Sequence, residues 1–303
     1  MATTTQAEIQ AEAIFSIHFD GPITKDHMLT LRTIAKTYKH MQSAIDRAFL
    51  IEKYGQAWKH ARLLREDYEQ ADFLARYPRE GGIILDAISS AHVGARTLID
   101  RISSALVAPF AKAFDGGLEE SEKIASRLAE ARGRAKNNQL LDIPTLQSLI
   151  ENPPIEWSQG YNARAICKEI DQLVAPISSE ALSGSIAELT LQGATKRMQF
   201  GFTSEIAARF HRVIASRELG PLAIVNAQIR QLDRGNKYSK PTAKIRNLDS
   251  RREATLHLES DSDFQDLHPY HTAQSVRLFV APFLEFGGFD VHGGDLFYVG
   301  IAE

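Results

Sequence analysis

Apolar residues alternate strictly along residues 13–20, AIFSIHFD, which puts Ala13, Phe15, Ile17 and Phe19 on one face. A period of two describes a half-buried strand, and Asp20-Gly21 supplies the turn that closes it. The period then lengthens. Leu29, Ile34, Tyr38, Met41, Ile45 and Phe49 recur at helical spacing, which predicts a helix capped by Thr24 or Asp26. A second helical stretch is expected from Trp58 to Tyr68, followed by two β-compatible runs, ADFLARYP and IILDAIS, around the turn REGG. Residues 91–114 return to helix, with Ile99, Ile102, Leu106, Phe110 and Phe114 in line and Pro109 as an expected kink. The segment LEESEKIASRLAEARGRAK, residues 118–136, reads as a surface helix. Its acids Glu119, Glu120 and Glu122 come first and its bases Arg132, Arg134 and Lys136 last, matching the helix dipole. Asp142 before Ile143-Pro144 opens a short helix, and residues 160–175 form another with Ile166, Ile170, Leu173 and Val174 inward and Cys167 on the face of Ile170 and Val174. Strands at 185–191 and 198–202 flank Gly193, and Thr203 caps a helix that ends near Ser216.

Beyond Gly220-Pro221 helical periodicity gives way to alternation. Strands are expected at 222–232, 241–247, 252–258, 275–286 and 295–302, with a short acidic helix, DSDFQDLH, between the third and fourth. Five strands with a helix in that gap is the order of a small closed barrel, which removes the open edges of short strands. The fold class is therefore α+β: a mixed helical/β domain at 1–219, of one or two subdomains, followed by a five-stranded OB- or SH3-like β-barrel at 220–303. Phe279, Phe283, Phe286, Phe289, Phe297 and Tyr298 are read as barrel core, and the pairs Gly81-Gly82, Gly287-Gly288 and Gly293-Gly294 as positive-φ turns.

Three stretches, FDGPITKDHMLTLRTIA, YPREGGIILDAI and EFGGFDVHGGDLFYVGI, resemble a family of uncharacterised bacterial and phage-related proteins. The resemblance implies an N-terminal α/β region followed by a five-stranded barrel, and a mobile-element or defence setting. It implies no activity and no catalytic residue.

Composition narrows the function classes. With 44% apolar and 24% charged residues over 303 positions, the chain is an ordinary globular one, and its net charge of -3 excludes a globally basic coat. A single cysteine forms no internal disulfide and no cysteine zinc cage, which points to a reducing compartment. The start MATTTQAEIQAEA has no basic stretch before an apolar run, and no apolar run is long enough to span a bilayer, so a cytoplasmic protein without membrane contact is expected. The P-loop, the dinucleotide fingerprint, the nucleophile elbow and the H-E-x-x-H zinc motif are all missing from the sequence. No cofactor is expected.

Charge is segregated inside the barrel region. Between Asn226 and Arg252 lie eight bases (Arg230, Arg234, Lys237, Lys240, Lys244, Arg246, Arg251 and Arg252) and two acids, a net of +6 with Tyr238 among them. From Glu253 to His268 there are five acids and no base. Basic barrel loops track a phosphate backbone while rings stack on bases, so these residues are the candidate surface for nucleic acid or a partner protein. The plainer reading is that the basic hairpin is solvated or pairs with the acidic helix of its own domain.

A second grouping, His257, Asp261, Asp263, Asp266, His268 and His271 with His292 and Asp295 farther on, carries a rival. His257, Asp263, His268 and His271 are the candidate metal ligands of a metal-dependent hydrolase, and His268 and His271, three apart, would face one metal if the helix ran on through Pro269. The leading expectation remains a non-enzymatic binding or assembly component acting through the barrel. A third reading is an oligomeric structural protein in which the barrel mediates self-association.

Overall fold

The structure, a computed structural model, describes residues 13–26, 28–59, 61–76, 83–89, 93–116, 121–136 and 143–302. It falls into two compact units. One comprises residues 1–57, 61–118 and 162–215; the other comprises 58–60, 119–161 and 216–303. The segment 119–161, which the sequence pattern assigns to the N-terminal region, thus groups with the barrel.

The first unit is built on a five-stranded antiparallel sheet. Its strands are β1 (Ala13–Asp20), β2 (Leu74–Ala75), β3 (Ile83–Ser89), β4 (Ile186–Gln192) and β5 (Arg197–Thr203), in the order β2-β3-β1-β4-β5. Ile17 sits opposite Leu85 on one side and Leu189 on the other, so the alternation read from the sequence becomes one continuous apolar face. Helices α1 (Leu31–Tyr54), α3 (Val93–Asp115) and α7 (Ser204–Ile214) pack against the sheet. Phe110 of α3 meets Phe200 and Phe202 edge-on at 5.2 and 5.1 Å. The expected cap of α1 moves: Thr30 Oγ1 accepts the Thr33 N–H at 3.1 Å. Thr24 is occupied in the 3-10 turn Gly21–Ile23, where its hydroxyl donates to the Gly21 carbonyl at 2.9 Å. Among the described residues no α-helix covers Trp58 to Asp67; a 3-10 turn at Arg65–Asp67 leads into the short α2 (Tyr68–Ala71). The turn residues of the first hairpin, with Gly81-Gly82, and the predicted cap Asp142 lie outside the described residues. Cys167 is fully buried and inert: its thiol donates to the Ala105 carbonyl at 3.3 Å, and burial pushes its pKa far up.

The second unit contains a closed five-strand barrel. Its strands are β7 (Ala223–Asp233), β8 (Thr242–Asn247), β9 (Glu253–His257), β10 (Val276–Glu285) and β11 (Leu296–Ile301), and β6 (Arg217–Leu219) adds an edge to β10. Going round the barrel the order is β7-β8-β9-β11-β10 and back to β7; β9 and β11 run parallel and the other neighbours antiparallel. Val276, Leu278, Val280 and Leu284 of β10 point inward with Ala223, Val225, Ile245, Leu256, Leu296 and Tyr298. The intervening Phe279, Ala281 and Phe283 point outward with Phe297 and Val299, where helix α4 (Ser121–Lys136) covers them with Leu128, Ile124, Ala131 and Ala135. Five of the six barrel aromatics therefore divide between the interior (Phe289, Tyr298) and this sealed outer flank (Phe279, Phe283, Phe297), because a strand buried on both faces has no polar side. Phe286, read as core from the sequence, is only half-buried at a left-handed turn position and joins neither cluster. Helix α5 (Leu146–Glu151), capped by Thr145, and the first turns of α6 (Ile155–Val174), a helix whose residues from 162 on belong to the first unit, send Leu146 and Trp157 to the interior cluster. Helix α8 (Asp261–Leu267), in the gap predicted for it, adds Leu267 and Phe264. None of the described helices is long and apolar enough to cross a membrane.

Tyr298 is 1% exposed, and its hydroxyl has no hydrogen-bond partner among the described residues. Burial first, then the Asp266 and Asp263 carboxylates, push its phenol above the ordinary value. Removing a buried hydroxyl without a partner deletes a desolvation penalty and little else. Tyr298→Phe is therefore expected to leave the melting midpoint unchanged or raise stability by up to about 1 kcal/mol. A loss of that size in a denaturant titration would mean that the hydroxyl is bonded after all.

Candidate functional site

With α4 over the β10–β11 side, the polar side of the barrel is formed by β8 and β9. On β8, Ala243 and Ile245 point inward, which turns Lys244 and Arg246 out to solvent. Across the ladder Lys244 faces Thr255 and Arg246 faces Glu253, while Gln231 and Gln228 of β7 lie on the other side. Neither Lys244 nor Arg246 has a hydrogen-bond or ion-pair partner among the described residues. Arg230 is exposed at the irregularity in β7 between Ile229 and Gln231, its guanidinium 3.3 Å from the Gln228 side-chain oxygen.

Two loops flank this face. The β7–β8 loop is held by its own backbone: Asn236 and Ser239 exchange both N–H···O bonds at 3.1 Å, and the Asn236 side chain accepts the Tyr238 N–H at 2.8 Å. Gly235 donates to Asp233 Oδ1 at 2.8 Å. The result is a braced tip from which Tyr238 projects, 90% exposed, with Lys237 Nζ 5.8 Å from its ring centre. The β8–β9 turn is organised by buried Asn247, whose Oδ1 accepts from the N–H groups of Asp249 and Ser250 at 2.9 and 3.3 Å. It presents Arg251 at φ +59°, a left-handed position that glycine occupies at lower cost, exposed and without a partner among the described residues. Arg252 bonds the His292 imidazole and, at 3.1 Å, the His292 carbonyl.

The remaining candidates are paired with the acidic segment, as the plainer reading requires. Arg234 grips Asp261 with two bonds at 2.7 and 2.8 Å, holding that carboxyl below its ordinary range. Lys240 meets Glu259 at 2.9 Å. Five of the nine candidates, Arg230, Lys237, Tyr238, Lys244 and Arg246, thus form one partner-poor surface along β7 and β8, with Arg251 at its far end.

The four proposed metal ligands are not brought together. Asp263 is 5% exposed and serves the helix: it accepts the N–H of Glu259 at 2.8 Å and of Ser260 at 3.3 Å, and Arg132 of α4 bonds both its oxygens at 2.8 and 2.9 Å. His268 caps the end of α8, and Pro269 carries the chain into a 3-10 turn, His268–Tyr270, that ends at His271. His257 lies elsewhere, with Nε2 3.3 Å from Asp295 and its ring 4.8 Å from that of Phe283. Among the described residues no three His, Cys, Asp or Glu side chains are arranged to hold a metal ion. Sequence reading missed Lys59, whose ammonium meets Asp295 at 2.8 Å and whose N–H meets Asp290 at 2.7 Å. Burial alone would raise the Asp295 pKa, but the bonds from His257 and Lys59 outweigh it and hold it at about 2. No local pattern signals a partner 236 positions away.

Comparison with family models, with curated proteins and with solved structures finds no match to this chain.

Proposed function

We propose that the protein is a non-enzymatic binding component that recognises nucleic acid through the β8–β9 side of its barrel. One observation carries this reading: cations without acidic partners line one polar flank, while the opposite flank is sealed by α4. Unpaired cations give up no ion pair when a phosphate approaches, whereas Arg234 and Lys240 would first have to leave Asp261 and Glu259. Arginine kept at the strained Arg251 position supports the same reading, since strain retained at a surface turn points to a use for the side chain. We further propose that the barrel is of OB type. Its strand order, the parallel β9–β11 pair and a helix between the third and fourth strands favour it, and barrels of that type bind oligonucleotides across strands two and three and the adjoining loops. The resemblance to phage-related proteins is the ground for proposing a mobile-element or defence setting, and the single cysteine is the ground for proposing a reducing, cytoplasmic one.

The test is a titration of labelled oligonucleotides, single-stranded and duplex, between about 50 and about 200 mM salt. If three to five phosphates are neutralised, affinity is expected to fall roughly 20- to 130-fold over that range for a single strand and roughly 40- to 500-fold for a duplex. No binding at the lower salt overturns the reading and moves attention to a protein partner.

A further inference from the structure

We propose that the ligand is single-stranded, lying along β8 with one unpaired base stacked on Tyr238; this rests on the nucleic-acid reading above. Tyr238 is a large ring, 90% exposed, on a loop whose tip is tied by the Asn236–Ser239 pair and by the Asn236 side chain. A flexible tip would let such a ring fold back onto apolar surface. The braced tip holds it out, in contact with Lys237 and with no other ring among the described residues. The hydroxyl has no partner among the described residues either, so the ring is not kept there to satisfy a buried bond.

A base inside a duplex shows its edges and hides its faces; only an unpaired base can lie flat on a side-chain ring. Stacking on an aromatic platform beside a cationic track is the general way in which single strands are held without sequence preference. The track here is continuous in the chain. Tyr238 and Lys237 precede β8, Lys244 and Arg246 project from it about 7 Å apart, and Arg251 follows it in the next turn. The six residues of β8 span about 20 Å, which gives a footprint near four nucleotides, the short end of what one such barrel covers.

The full-length chain is titrated with a labelled homopyrimidine strand, a blunt duplex of the same length and inorganic polyphosphate. Wild type, Tyr238→Ala and Tyr238→Phe are compared after their melting midpoints have been matched. The expected result is tighter binding of the strand than of the duplex. Tyr238→Ala should weaken strand binding about tenfold or more and Tyr238→Phe barely, with polyphosphate affinity unchanged in both. Equal binding of strand and duplex, or strand binding indifferent to Tyr238→Ala, overturns the stacking proposal and leaves the nucleic-acid reading in place. Binding of polyphosphate alone, or of none of the three probes, overturns both.

Discussion

Lys244→Glu combined with Arg246→Glu is expected to reduce nucleic-acid affinity on the order of 100-fold at low salt, while the barrel stays folded. Both side chains leave β8 on its outer face and touch no partner among the described residues, so nothing inside the barrel depends on them. The structural penalty comes from one place. A glutamate at 246 would face Glu253 across the ladder, and a like-charge pair of that kind costs up to about 1 kcal/mol. Position 244 faces Thr255 and adds little. On the ligand side, two attractions to phosphate become two repulsions. The slope of log affinity against log salt should flatten by about 0.7 for each phosphate of a single strand that is no longer neutralised. The comparison that gives this meaning is Arg234→Ala with Lys240→Ala, which removes two positive charges already matched by Asp261 and Glu259. That pair should change affinity only a few-fold, since its groups were not available to phosphate. Titration at low salt decides between counting charge and counting unpaired charge. A double reversal that binds within twofold of wild type would show that the β8 face is not the interface.

The distinction has no signature in the chain alone. The sequence carries a net of +6 between Asn226 and Arg252 and a separate acidic run, and it offers two outcomes for them, solvation or internal pairing. The structure takes both at once. Arg234 and Lys240 lie near the end of the barrel that carries α8 and are neutralised there, while Lys244 and Arg246 stand mid-strand beyond its acids. Which cation meets which acid depends on barrel closure, and that is decided in three dimensions. The strands themselves are legible, because β10 and β11 alternate between two apolar clusters and β8 between apolar and charged, each with a period of two.

Elements whose partners are distant in sequence are harder to read. Helix α4 has apolar Ile124, Leu128, Ala131 and Ala135 at helical spacing, which establishes that one face is covered but not that the barrel covers it. Trp58 and Lys59 sit in a stretch compatible with helix, yet the Lys59 N–H and ammonium are taken by Asp290 and Asp295 of the β10–β11 loop. Those bonds outcompete a marginal helix. The metal set fails for a similar reason: by sequence Asp263 is a free carboxylate beside histidines, whereas Arg132 and the first turn of α8 use its oxygens.

Gly288→Ala is expected to destabilise the barrel unit by roughly 3 kcal/mol, a drop of about 10 °C in its melting midpoint. The pairs Gly287-Gly288 and Gly293-Gly294 look alike in sequence, and the pattern makes all four positive-φ turn residues, but the backbone asks different things of them. Gly287 stands at φ +69° with open space where a side chain would go. Gly288 has an ordinary φ, and a Cβ there would lie 2.1 Å from the Tyr161 nitrogen and 2.4 Å from the Gly160 carbonyl carbon of α6. Those are backbone atoms of a helix, which cannot swing aside as a side-chain tip would, so the β10–β11 loop must lift away. Lifting it would break the Phe289 N–H bond to the Trp157 carbonyl at 3.2 Å and part the Trp157 and Phe289 rings, now 5.4 Å apart in the interior cluster. Gly287→Ala should cost only about 1 kcal/mol, the penalty of a left-handed residue with a side chain. Gly293→Ala, with open space and an ordinary φ, should cost nothing measurable. The ranking 288, 287, 293 in a single thermal-melt series is the check. If Gly287→Ala proved the most damaging, backbone conformation rather than contact with α6 would be what fixes this loop.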